Sequence, residues 1–210
     1  MRVYDANGIK KVTGVTAGRS MRYFKQVGTS PYECWYLSGA IGIGSALSAG
    51  TLTINTMIAV GWMAPRTGTI DGLGINVTTL AALGKAKVLM YNNTSDTVQY
   101  PSSLLAAAAE FDVTTTGVKT DTTLSIAVTK DTMYWFVYWC GTNAPGIRSM
   151  TVGSMNTEFL GFDNTFPTTP NIGFTVAQTY SSSTNPSTYP SSATMLTTAP
   201  VPAMFHRYSA

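Results

Sequence analysis

Apolar and polar residues alternate with a period of two along much of this chain. In residues 123–129, TLSIAVT, the leucine, isoleucine and valine fall on one face, and the threonines, serine and alanine fall on the other. The same alternation recurs over residues 52–62, 73–78 and 172–177. Because successive side chains of a strand point to opposite faces, this pattern predicts half-buried antiparallel β-strands.

Short runs rich in Gly, Pro, Asn, Asp and Thr separate these predicted strands. They lie at residues 65–68, 71–72, 92–96, 116–117, 130–131 and 143–146. Many short strands joined by such turns predict an all-β fold, an antiparallel β-sandwich with little helix, most simply a jelly roll. The best helix candidate is Ser103–Glu110, SLLAAAAE, for which an extended segment is an equal alternative.

The segment MYWFVYW, Met133 to Trp139, departs from the alternation because it is apolar on both faces. One face is expected to enter the core. The other face must then meet a second sheet, a long loop or a neighbouring subunit, and Tyr and Trp suit such a contact because they bury large areas while keeping a polar atom. The uncharged, Ser/Thr/Pro-rich stretch Thr179–Pro202 is interpreted as a long surface loop, with recognition by that loop as the functional alternative.

Charge is scarce in this chain. Charged residues make up 11% of its 210 residues, against roughly a quarter in ordinary soluble domains. None lies between Cys34 and Pro65. We expect such a chain to cover much of its surface with copies of itself or with a scaffold. Polar residues interrupt every apolar stretch, so membrane insertion is not predicted.

The charges are also unevenly distributed. Residues 1–30 carry six basic residues against the single acid Asp5, whereas the remainder carries seven basic and nine acidic residues. We therefore divide the chain into residues 1–50, a basic arm with a Gly/Ser-rich connector, and residues 51–210, the sandwich. The arm either keeps the protein soluble or docks on an acidic protein surface. The docking candidates are Arg2, Lys10, Lys11, Arg19 and Arg22.

Neither nucleic-acid binding nor catalysis finds support in the sequence. The net charge of +3 is too small to indicate nucleic acid. His206 is the only histidine, and we expect a surface or core residue rather than a member of a Ser-His-Asp triad. Glu110 and Asp112 would share one strand face, a weak indication of a glycosidase pair.

The two cysteines are Cys34 and Cys140, and they lack the spacing of metal ligands. They are interpreted as buried thiols, and a disulfide between them stays an open alternative. The sequence therefore predicts no enzyme activity, no metal and no cofactor.

The order of motifs from Trp62 to Cys140 resembles the jelly-roll head domain of fibre and receptor-binding proteins of tailed bacteriophages. The motifs that carry the resemblance are MAPRTGTIDGLGINVTT (63–79), KAKVLMYNNTSD (85–96), FDVTTTGVKTDTTLSIAVTKDTMYWFVYW (111–139) and the closing APVPAMFHRY (199–208). Such domains are usually non-enzymatic homotrimers on virion surfaces. About 50 residues precede the domain here, which favours a compact protein with an anchor over a long shaft.

The resemblance implies a structural virion protein. Synthesis in the host cytoplasm is expected because the polar stretch after Met1 does not read as a signal peptide. We expect a trimeric surface knob, a capsid-decorating cement protein or a short fibre, bound through its N-terminal segment to the major capsid protein or to other virion proteins. The alternative is a receptor-binding module that recognises host glycan. Such a site needs exposed aromatic rings beside amides or carboxylates, and the candidate contacts in the long loop are Tyr180, Asn185 and Tyr189.

Overall fold

A computed structural model describes residues 35–38, 47–150, 172–198 and 200–209 of the chain. These residues form two antiparallel sheets and no helix, which confirms the prediction of an all-β sandwich. None of them therefore belongs to a helix long and apolar enough to cross a membrane. The predicted docking residues Arg2, Lys10, Lys11, Arg19 and Arg22 lie outside the described residues, as does Cys34.

The strands follow the predicted alternating segments and are separated mostly by the predicted turns. The described residues form β1 (Trp35–Ser38), β2 (Ser48–Thr51), β3 (Thr56–Met63), β4 (Gly68–Thr79), β5 (Lys85–Asn93), β6 (Pro101–Ala107), β7 (Phe111–Asp112), β8 (Gly117–Asp121), β9 (Ile126–Val128), β10 (Met133–Gly141), β11 (Gly146–Met150), β12 (Gly173–Ala177), β13 (Thr194–Leu196), β14 (Val201–Pro202) and β15 (Met204–Tyr208).

The strands are divided between two sheets. Sheet 1 has the order β1-β15-β4-β11-β14, with β2 paired to β11 and both β8 and β9 paired to β4. Sheet 2 has the order β13-β12-β3-β10-β5-β6, with β7 paired to β5. The aromatic strand β10 lies inside sheet 2, where Phe136 stands opposite Val60 of β3 and Met90 of β5.

The inner core joins residues of both sheets. One face of β10 belongs to this core, and its side chains are all buried: Tyr134, Phe136, Tyr138 and Cys140. From β4 it takes Leu73, Ile75 and Val77. The alternation predicted for β4 is therefore confirmed, and Cys140 is a buried free thiol, as expected.

The outer core lies on the opposite face of sheet 2. It contains the other side chains of β10 together with residues of β3, β5 and β12, namely Met133, Trp135, Val137, Trp139, Met57, Ala59, Leu89, Tyr91 and Val176. Residues 178–193, which we call the covering loop, pack over it, and Tyr189 of this loop is one of its buried members. The second face of the aromatic strand thus meets a long loop, one of the three alternatives that the sequence left open.

Three local features differ from the simplest sequence interpretation. The stretch Thr179–Pro202 is not a loop throughout, because it contains β13, which pairs with β12, and β14, which pairs with β11. Ser103–Glu110 contains no helix; β6 runs to Ala107 and pairs with β5, because a two-turn helix is marginal alone and the ladder supplies the backbone hydrogen bonds. Asp71–Gly72 makes no turn but lies within β4, where the register with β15 shifts between Arg207 and Tyr208. The Asp-Gly pair here therefore marks a register shift within a strand and not a turn between strands.

Candidate functional site

Lys87 fixes the covering loop to sheet 2. Strand β5 places this side chain on the outer face, where it is only 4% exposed. Its Nζ donates hydrogen bonds to the carbonyl oxygens of Ser181 (3.1 Å) and Ser182 (2.7 Å) and to Oδ1 of Asn185 (3.0 Å). Burial lowers the pKa of Lys87, and the charge of Glu110 opposes that shift. The three acceptors match the three donors of an ammonium group, so the loop closes around this cation.

Tyr180 packs against the end of β10 and is held there by Glu110. Its hydroxyl donates to Glu110 Oε2 at 2.8 Å, and its ring centroid lies 4.9 Å from that of Trp139. The ring occupies the space beside Gly141, where an added Cβ would overlap it. Burial, together with the hydrogen bond to Glu110, raises the pKa of Tyr180. Tyr180 therefore remains a hydroxyl donor and supports the start of the loop.

Tyr189 lies in the outer core, with 2% of its surface exposed. Its ring makes edge contacts with Tyr91 and Tyr100, at centroid distances of 5.7 and 5.9 Å. Its hydroxyl lies 3.4 Å from the carbonyl oxygens of Met57 and Phe174. Tyr189 therefore anchors the loop from beneath and offers no ring face to a ligand.

The three predicted glycan contacts are thus brought to the base of one loop. Tyr180 is half-buried, Asn185 accepts from Lys87, and Tyr189 is part of the outer core. The exposed part of the loop around them consists of hydroxyl side chains, at Ser182, Ser183, Thr184, Ser187 and Thr188. The surface of this loop is therefore polar, and its aromatic residues support it from below.

Sequence reasoning missed Lys87. Its signal was a cation inside the apolar run of β5, on the same strand face as Leu89 and Tyr91. A lysine in that position must find acceptors or remain unpaired in the core. The acceptors come from residues 94 to 98 positions further along the chain, which no local pattern indicates.

The candidate catalytic residues have structural contacts. Glu110 accepts from Tyr180, whereas Asp112 is exposed and accepts from the backbone N–H of Thr114 (3.0 Å). His206 is fully buried, and its ring is stacked on Phe136 at 5.4 Å and meets Trp62 edge-on at 4.7 Å. Burial, reinforced by the charge of Arg66, lowers the pKa of His206 to about 3. Of the two positions expected for His206, on the surface or in the core, the structure shows the core.

A groove lies on the outer face of sheet 1, and no sequence pattern predicted it. Its volume is about 230 Å³. It is lined by Trp35, Gly74, Ile75, Asn76, Val118, Thr120 and Phe205. The glycines of β4 make room for the indole, because a Cβ at Gly72 would lie 2.8 Å from Cη2 of Trp35. We call this feature the Trp35 groove.

The ion pair between Arg207 and Asp71 flanks Trp35. Nε of Arg207 lies 2.8 Å from Oδ1 of Asp71, and Nη2 lies 3.0 Å from Oδ2. The guanidinium carbon is 5.7 Å from the centre of the Trp35 ring. This two-point pair fixes the edge of the groove and leaves it without net charge.

Within the described ranges, no three His, Cys, Asp or Glu side chains lie close enough together to hold a metal ion. Compared with known protein families and with curated proteins, the chain matches none. The likeness to phage head domains therefore stays with the motifs quoted above.

Proposed function

We propose that the protein is a non-enzymatic structural protein of a phage virion. It is a homotrimeric surface knob, cement protein or short fibre, held on the capsid or tail by its N-terminal segment. The observation that carries the proposal is a charge-poor sandwich with large apolar side chains in solvent. Among the residues that the structure describes, five of these are more than half exposed: Leu80, Leu83, Val98, Val118 and Met195. Surfaces of this kind are typically covered by protein in an assembly.

The contacts of the acidic side chains support a structural role. Asp71 pairs with Arg207, and Glu110 accepts from Tyr180. Asp121 is buried, which by itself would raise its pKa, but hydrogen bonds from the N–H of Ala109 and from the N–H and hydroxyl of Thr123 outweigh burial and lower it. Each of these carboxylates holds segments of the sandwich together.

The mass of the protein in solution tests the assembly. We expect light scattering to give three chains per particle for the full chain and also for a chain without residues 1–30, because the exposed apolar residues lie in the sandwich. A monomer in both cases would overturn the proposal. A trimer only with the arm present would place the assembly contacts in the arm instead.

Attachment is tested by the charge of the arm. Lys10→Gln together with Lys11→Gln should reduce incorporation into virions while leaving the trimer intact. Lys119→Gln with Lys130→Gln is the matched control, because it removes the same charge from the sandwich. Equal incorporation of both double variants would contradict docking through the arm.

A second candidate is a receptor-binding module for host glycan. It is favoured by a polar loop that Lys87 holds in one conformation while Ser182, Ser183 and Thr184 face solvent. Recognition is often placed on such loops, and preorganisation lowers the entropic cost of binding. Binding on a glycan array that is lost in Ser183→Ala/Thr184→Ala would support this function. A silent array would leave the structural role alone.

A further inference from the structure

We propose that copies of this chain contact one another head to tail, with the loop at residues 80–84 of one copy inserted into the Trp35 groove of the next. We call this segment, LAALG, the leucine loop. The inference rests on the proposed assembly and names the contact that builds it.

The leucine loop presents two apolar side chains to solvent. Leu80 is 54% exposed and Leu83 is 74% exposed. The loop backbone is nevertheless held in place: Gly84 N–H donates to the carbonyl oxygen of Ala81 (2.9 Å), and Asn143 Nδ2 donates to that of Ala82 (2.5 Å). The leucines are thus displayed by a fixed loop.

The backbone of the leucine loop is strained at the more exposed of its two leucines. Leu83 has a φ of 57°, the left-handed region that a residue with a Cβ adopts at an energetic cost. Thr142, next to the Asn143 that bonds this loop, has a φ of 65°. Burial of Leu83 within its own chain does not offset the strain, because the side chain points into solvent. Strain of this kind concentrates where proteins bind.

The Trp35 groove has the size and lining to receive such side chains. A cavity of about 150 Å³ lined by apolar residues accepts a benzene molecule, so a groove of about 230 Å³ has room for a leucine. Its walls are the rings of Trp35 and Phe205 on one side and Val118 on the other, and Val118 is 70% exposed. An inserted leucine would cover these three side chains.

Charge and position favour a second copy of the chain as the occupant. Residues 77–84, VTTLAALG, contain no charged residue, and none of the described residues lining the groove is charged. When each copy inserts its projection into the groove of the next, the contact is heterologous, and it repeats from copy to copy and closes into a ring when the rotation allows it. A ring of three is the closed form that the proposed trimer requires.

The test breaks each half of the contact separately. Leu83→Asp removes the apolar projection, and Val118→Asp places a charge in the groove. Each variant alone should fall from three chains per particle to one in light scattering. An equimolar mixture should form a one-to-one dimer, because the Leu83 of the Val118→Asp chain still fits the unaltered groove of the Leu83→Asp chain.

Two further variants control for folding and for exposure. Leu83→Asn suits the left-handed backbone, so it should also be monomeric but with a melting temperature above that of the monomeric Leu83→Asp variant, since both have lost the stabilisation from assembly. Val98→Asp changes a side chain that is 55% exposed in a different loop and should leave the trimer intact.

The outcomes separate this inference from the proposed function. A trimeric parent whose Leu83→Asp and Val118→Asp variants also stay trimeric would overturn the contact and leave the assembly standing. Monomeric variants that fail to pair when mixed would likewise overturn the head-to-tail arrangement. A monomeric parent would overturn the assembly and the contact together.

Discussion

Both sheets turn one face to the inner core, but they differ in what covers the opposite face. Sheet 1 has one face in the inner core and carries the Trp35 groove on the other. Sheet 2 has the inner core on one face and the outer core, under the covering loop, on the other. The difference shows that a polar, irregular segment can act as a third layer when a few anchors, here Tyr180, Tyr189 and the acceptors of Lys87, hold it to the sheet.

The largest expected effect compares the two faces of β10. Phe136→Ala leaves a cavity in the inner core, and Trp135→Ala leaves one in the outer core. Each substitution should lower the free energy of unfolding by about 3–5 kcal/mol. Urea denaturation of both variants measures this. A loss below about 1 kcal/mol for Trp135→Ala alone would mean that the covering loop adds little, and the comparison between the sheets would fail.

The next effect concerns acid stability and belongs to the inner core. The pKa of His206 is about 3 in the folded chain, below its ordinary value of 6.5, so the unfolded chain binds a proton that the folded chain excludes. Stability from this residue is therefore complete above pH 6.5 and is lost as the pH falls towards 3, at up to about 1.4 kcal/mol per pH unit.

The matched variant is His206→Leu, which is apolar and of similar size. Its free energy of unfolding, measured by denaturation between pH 7 and pH 4, should fall less steeply than that of the parent. Parallel curves for the two proteins would show that His206 does not titrate on unfolding, and the buried ring would need another account.

A smaller effect tests the attachment of the covering loop. Lys87→Met leaves the carbonyl oxygens of Ser181 and Ser182 without this donor. The free energy of unfolding should fall by about 1–3 kcal/mol. Amide exchange over residues 178–193 should accelerate more than in β10. Lys85→Met is the control, because Lys85 is partly exposed and its Nζ lies 4.0 Å from Glu110, a contact worth about 0–1 kcal/mol. Equal exchange in both variants would refute the anchoring role of Lys87.

The smallest effect concerns a single hydrogen bond. Tyr180→Phe keeps the ring against Trp139 but removes the donor to Glu110, and should cost about 0.5–1.5 kcal/mol. A double-mutant cycle with Glu110→Ala, which removes the acceptor, followed by urea denaturation, isolates the interaction. Strictly additive losses would show that the contact contributes nothing to stability.

Much of the fold follows from local pattern, whereas the site depends on distant pairing. The alternation around Leu73 and Ile75 and the double-sided aromatic strand are readable because side-chain direction is a local property of a strand. The sequence of residues 103–110 does not distinguish a helix from a strand, because its alanines favour a helix. The strand forms because this segment pairs with β5. The docking role of the arm stays a prediction.

The features of the candidate site needed contacts that the sequence does not display. The loop composition hid Tyr189, because serine and threonine around it suggest solvent while its ring lies in the outer core. The Trp35 groove exists because β1 pairs with β15, which lies near the other end of the chain. Chain topology creates both features, and neither leaves a local periodicity.

The covering loop also pairs with the edge of sheet 2. The backbone N–H of Leu104 donates to the carbonyl oxygen of Ser187, and that of Tyr189 donates to the carbonyl oxygen of Ser102, both at 2.9 Å. The loop thereby occupies positions at the outer edge of β6 where a strand from another molecule would add. Proteins commonly protect such edges with lysines and other charges. In a chain with so few charges, the same loop that covers the outer core also blocks this route to edge-to-edge aggregation.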